Sequence, residues 1–295
     1  MKLLKAVSAI CVQNLRKWKT DHRVWIIGLI CCVMILVYFD DMERIVKGLG
    51  LTMPIWVFPF LYSQFHMKLI YTLLLVLFFC NAPFIDSNQT FMYIRSGRIK
   101  WLLGQMLYVV VSSSIYYLFL LTLSLLSAVA AGGEINFEWG KTLVSVATSD
   151  AAGRFGSPFI DASLTVLTYF SPLSAAWFTF LLSWLCGSMI GLIIFLCNIL
   201  TGTRFLGIIA SSILVVLSAV LENDFTYLIK DMFLKDIILP FSPISWTTLN
   251  NVDVGGLTQN PSFGYCITFY LTAIVLLIAG ILIFGKKQSM DVKGN

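Results

Sequence analysis

Charged residues are missing from six long stretches of this chain. Residues 24–39, 69–85, 102–131, 172–200, 205–221 and 264–285 contain no Asp, Glu, Lys or Arg. A charge at the centre of a bilayer costs about 2.5–3.5 kcal/mol on insertion scales, so omissions on this scale are the mark of membrane spans. A crossing helix needs roughly 17–25 residues. The first stretch is slightly short and recruits a flanking residue, whereas the third is long and tilts or projects. The charge-free run 162–203 is long enough to suggest two crossings. Pro172 divides it, leaving 162–170 as an interfacial or re-entrant approach to a single fourth span. The expected architecture is an all-α integral membrane protein with six transmembrane helices in one membrane domain, residues 1–295.

The segments between the stretches carry their own periodicity. In residues 2–19 (KLLKAVSAICVQNLRKWK), Leu3, Leu4, Val7, Cys11, Leu15 and Trp18 recur at helical spacing among lysines and arginines. This predicts a basic amphipathic helix lying along a membrane surface. Residues 83–105 form a second such segment. Asp86 or Ser87 can cap a short helix and Gly97 can end it. Phe91, Met92 and Ile94 offer apolar contacts beside Arg95, while Arg98, Lys100 and Trp101 suit an anchor at the membrane interface. Before the last stretch, 224–239 mixes apolar and charged residues at near-helical spacing. Pro240, Pro243 and Trp246 then interrupt the pattern. This predicts an outer helical hairpin that lies in, or dips into, the leaflet.

Composition agrees with this reading. The chain is 58% hydrophobic and 12% charged, against about 25% charged in soluble domains. Its seven cysteines form neither a disulfide framework nor a CxxC metal pair, and two histidines leave little for a metal site. No cleavage site follows the first apolar stretch, so it is expected to remain as an uncleaved span.

Lys and Arg set the orientation. Of 20 basic residues, 13 fall in the 50 positions on the side that holds both termini, and seven in the 110 positions of the outer loops 40–68, 132–170 and 222–263. Both termini are therefore expected in the cytoplasm. The net charge of +5 then reflects anionic lipid at the inner face and not nucleic acid.

Chemistry within the spans is sparse. Asn81, Gln105, Ser112, Ser113, Ser114, Ser183, Asn198, Ser211 and Ser212 are the main polar groups, and some are expected to bond neighbouring helices. Gly187 and Gly191 form a small-xxx-small pair that permits close helix packing. The absence of acidic or basic groups in the spans disfavours an ion-coupled carrier. Asp40, Asp41 and Glu43 read as a solvated helix end. Gly140-Lys141-Thr142 echoes the end of a phosphate-binding loop, but position 135 is Ile where that motif needs Gly.

This layout resembles the permease subunits of ABC transporters, specifically the ABC type-2 exporter permeases of Gram-positive bacterial type. The local match runs from Asn81-Ala82-Pro83-Phe84 to Arg95-Ser96-Gly97-Arg98-Ile99-Lys100-Trp101-Leu102-Leu103-Gly104-Gln105. Ser242-Pro243-Ile244-Ser245-Trp246 is similar to the family's Ser-Pro-x-x-Trp approach to the last span. The outer loops are longer than the plain family pattern. The resemblance implies a cytoplasmic coupling helix in which Gln89, Phe91, Met92, Tyr93, Ile94 and Arg95 dock on a separate ABC ATPase subunit dimer. It implies a second permease subunit, the same chain or a different one. It also implies ATP and Mg on the ATPase, with no cofactor on this chain and no catalytic site of its own. The expected location is a bacterial cytoplasmic membrane, and the expected activity is export of an amphipathic cargo such as an antimicrobial peptide or a lipid-linked molecule. The alternative is a non-transporting scaffold or sensor subunit of a larger membrane complex.

Overall fold

The computed structural model describes residues 2–84, 93–155, 160–223, 239–253, 256 and 260–285. Among them, seven helices have 15 residues or more. These are α1 (Lys2–Arg16), α2 (His22–Leu49), α3 (Phe65–Phe79), α4 (Arg98–Ala130), α5 (Pro172–Thr201), α6 (Arg204–Asn223) and α7 (Phe263–Gly285). The described residues hold no strand, only an isolated bridge between Asp253 and Ser262. The protein is all-α.

Four of these helices, α2, α4, α5 and α7, are long and apolar enough to cross a membrane. The apolar helices at Phe65–Phe79 and Arg204–Val220 are shorter. At 1.5 Å per residue, α3 is about 22 Å long, less than the roughly 30 Å hydrocarbon core. The chain continues from it through turns at 80–84.

Helix boundaries follow local chemistry. The Asp21 side chain accepts a hydrogen bond from the Arg23 N–H and caps α2, and Gly50, at φ 62°, ends it. This helix runs ten residues past its apolar stretch. Exposed pairs Arg44–Asp40 and Lys47–Glu43, each at 2.7 Å and four residues apart, support that extension. Of the acidic group on the last third of α2, Asp40 is exposed and Asp41 and Glu43 are half-buried. Ser171 caps α5 by accepting from the Ser174 N–H, Pro172 occupies the first turn, and Gly202, at φ 67°, terminates it. The segment before Pro172 contains the short helix Leu164–Tyr169.

The core is organised around α5. In its most apolar window 72% of residues are buried inside the protein, against 28% for α2 and 11% for α7. It packs on α3, α4, α6 and α7. Gly187 and Gly191 make this possible. A Cβ at Gly187 would sit 2.5 Å from Ser113 Oγ and 2.7 Å from Tyr117, and one at Gly191 would sit 2.5 Å from Val109 Cγ1. The small-xxx-small pair therefore seats α5 on α4 and α3 of the same chain. Asn198 ties three elements together: its Nδ2 donates to the Ala82 carbonyl at 2.6 Å and its Oδ1 accepts from the Gly207 N–H at 3.0 Å.

Large apolar side chains on α2 (Trp25, Leu29, Leu36), α6 (Ile213, Leu217) and α7 (Val275, Leu276) are exposed. Apolar surface of this extent needs lipid or another protein against it. The expected outer hairpin at 224–239 lies almost wholly outside the described residues.

Candidate functional site

The segment expected to dock a partner leads directly into α4. Gln89, Phe91 and Met92 lie outside the described residues. Residues 93–96 are helical, and Gly97, at φ 83°, separates them from α4. A left-handed backbone at this position favours glycine. Ile94 is 75% exposed and Arg95 is also exposed. Tyr93 faces the other way: its ring meets that of Trp101 edge-on, with centroids 5.8 Å apart.

Trp101 requires a correction. Expected as an interface anchor beside Arg98 and Lys100, it is buried within the protein, at 1% exposure. Arg98 and Lys100 are half-buried on the first turn of α4. The physical reason is α1, which covers this face of α4.

The contact between α1 and α4 is closely fitted. A Cβ at Gly104 would lie 2.7 Å from Ile10 Cβ, so glycine admits the approach. The buried Asn14 Nδ2 donates to the buried Gln105 Oε1 at 2.8 Å. Trp18 Nε1 donates to the Tyr108 hydroxyl at 2.8 Å. The Trp101-x-x-Gly104-Gln105 motif is thus the seat of α1. Burial also pushes the Cys11 thiol pKa up. The inward face of α1 consists of Val7, Ile10, Cys11 and Asn14, whereas Leu3 and Leu4 are exposed. The apolar stripe read from the sequence included those two leucines and omitted Ile10 and Asn14. Only the distant partner Gln105 makes Asn14 an inward-facing residue.

At the opposite end of the bundle, the Ser242-to-Trp246 motif packs against α7. Trp246 is fully buried, and its ring lies 5.1 Å from Phe269 and 5.6 Å from both Tyr265 and Tyr270. Tyr270 donates to the Pro243 carbonyl, and Ser245 Oγ donates to the Ser242 carbonyl at 2.7 Å. Sequence reasoning missed Lys68, which it left in the outer loop. This residue lies in the first turn of α3, 2% exposed, and its Nζ donates to Thr248 Oγ1 at 3.1 Å. Thr248 Oγ1 donates in turn to the Tyr62 carbonyl at 2.7 Å. The signal was its place directly before the charge-free run 69–85.

Several other polar groups on the apolar helices bond backbone carbonyls. Ser113 Oγ donates to the Trp184 carbonyl at 3.3 Å, Trp184 Nε1 to the Val110 carbonyl at 2.9 Å, and Ser211 Oγ to the Gly207 carbonyl at 2.8 Å.

No protein-family model matches this chain. A search of curated proteins finds no match to it either.

Proposed function

We propose that this chain is the membrane-spanning permease subunit of an ATP-driven ABC exporter. On this reading α2, α3, α4, α5, α6 and α7 are its six spans, and both termini lie on the cytoplasmic side of a bacterial cytoplasmic membrane. A separate ATPase dimer binds and hydrolyses ATP with Mg, and two permease subunits form the pathway. The cargo is amphipathic, such as an antimicrobial peptide or a lipid-linked molecule.

One observation carries the reading. An exposed Ile94–Arg95 pair sits on a helical segment whose neighbouring Tyr93 packs on Trp101, at the root of α4. An apolar side chain displayed beside a cation suits docking into a cleft. The Tyr93–Trp101 contact, with α1 seated against the same turns of α4, gives a push on the docked segment a stiff route into the bundle. Conformational coupling needs such a packed element with discrete positions.

The test is cargo-stimulated ATPase activity of the reconstituted transporter. Phe91→Asp and Arg95→Glu should each weaken docking by about 2 kcal/mol, the scale of an interface hot spot. ATP hydrolysis should then become independent of cargo while the permease stays folded. Wild-type stimulation in both variants would exclude this segment as the docking element.

A further inference from the structure

Beside the α1–α2 junction, a small polar chamber adjoins a larger apolar groove. The chamber has a volume of about 100 Å³ and is lined by Lys17, Arg23 and Arg204, with Asp21, Asn81 and Tyr108. The groove has a volume of about 530 Å³ and runs between α2 and α4, past Val24, Trp25, Gly28, Leu29, Phe78 and Phe119. That volume falls in the roughly 300–1,000 Å³ range of small-ligand sites. Trp18, Val24, Ile27 and Phe78 line both spaces, so the two are neighbours.

The two halves differ in chemistry as the two ends of a lipid do. Three cations face one carboxylate in the chamber, and that carboxylate, Asp21, is already engaged by Arg23 at 3.4 Å. The N-terminal ends of α2 and α6, whose dipoles favour anions, begin at His22 and Arg204 beside the chamber. In the groove, Lys19 at its mouth is the one charged side chain; the rest of the lining is apolar, aromatic or Cys. Trp18, Trp25 and the basic residues mark headgroup level. From Val24 to Cys32 the helix rises about 12 Å, which carries the groove into hydrocarbon depth.

We propose that this groove holds one anionic phospholipid, with its phosphate at Arg23 and Arg204 and an acyl chain between α2 and α4. Guanidinium groups suit the fork geometry of phosphate oxygens. The bound lipid would touch α1, α2, α4, the turn at 81–84 and the start of α6. The site needs only that the chain be embedded in a bilayer, so it stands whether or not an ATPase docks nearby.

Two variants separate head from tail. Arg204 is exposed, so Arg204→Gln changes the chamber with little effect on packing. A Cβ at Gly28 meets nothing within 4 Å, so Gly28→Phe fills the groove without crowding the backbone. The full chain, purified in mild detergent, is loaded with phosphatidylglycerol or phosphatidylcholine, and retained lipid is counted by native mass spectrometry. The wild-type chain should keep one phosphatidylglycerol in preference to phosphatidylcholine. Arg204→Gln should weaken its retention about tenfold, the scale of losing one hydrogen bond to a charged group. Gly28→Phe should abolish it. Equal retention of the two lipids, or unchanged phosphatidylglycerol in both variants, overturns the proposal. So does full displacement by glycerol phosphate, which would make the chamber a site for free phosphate. A change of oligomeric state in Gly28→Phe with lipid retention intact would assign the groove to a second copy of the chain, and that also overturns it.

Discussion

Asn14 and Gln105 show how much a single polar pair decides here. They are 91 positions apart and both buried, and their 2.8 Å bond fixes the rotation of α1 against α4. Removing one partner of a buried bond leaves a polar group short of partners, at a cost of about 1–3 kcal/mol. Asn14→Leu and Gln105→Leu should each destabilise the purified protein by that amount. The double variant should cost less than the sum of the two. Thermal unfolding in detergent, read as a double-mutant cycle, checks this; strict additivity would mean that the bond does not contribute. Residues whose roles are local were legible in the sequence, as the breaks at Pro172 and Gly97 illustrate. Residues whose roles depend on distant partners were not. Trp101 reads as an interface residue until α1 is placed over it, and Lys68 reads as a loop cation until Thr248 is placed beside it.

At the scale of elements, two charge-free stretches coincide closely with helices, whereas 69–85 does not, since α3 ends at Phe79 and turns follow at 80–84. Residues 172–200 became Pro172–Thr201 and 264–285 became Phe263–Gly285. The absence of charge also failed where a helix outlasts its apolar run. Charges four residues apart sustain α2 through Leu49, and no hydropathy pattern marks that end. The Gly187/Gly191 pair was legible as a packing face, but the sequence alone does not say what packs on it. Since the face meets Val109, Phe79 and Tyr117 of the same chain, Gly191→Leu should overpack the bundle. The expected cost is about 1–3 kcal/mol of stability, with oligomeric state unchanged. Thermal unfolding combined with size-exclusion light scattering checks both. Dissociation of an oligomer with stability preserved would place the pair at an intermolecular contact instead.

For the whole molecule, the α-helical class and the long apolar helices follow from composition and from the spacing of charges, because lipid penalises charge so uniformly. Partner recognition has no such uniform signature. A docking helix needs only a few displayed side chains, and Ile94 and Arg95 differ from ordinary loop residues only in being held out by the Tyr93–Trp101 contact behind them. The exporter reading therefore rests on the motif at 81–105 and on how its described part is mounted. Its most direct test is to recover this chain from its native membrane in mild detergent and identify what accompanies it by mass spectrometry. A soluble ATPase should accompany it in stoichiometric amount, with a second permease subunit that is either another copy of this chain or a different six-span protein. Recovery without any ATPase, under conditions that keep other membrane complexes whole, would contradict the exporter reading and leave a scaffold or sensor subunit in its place.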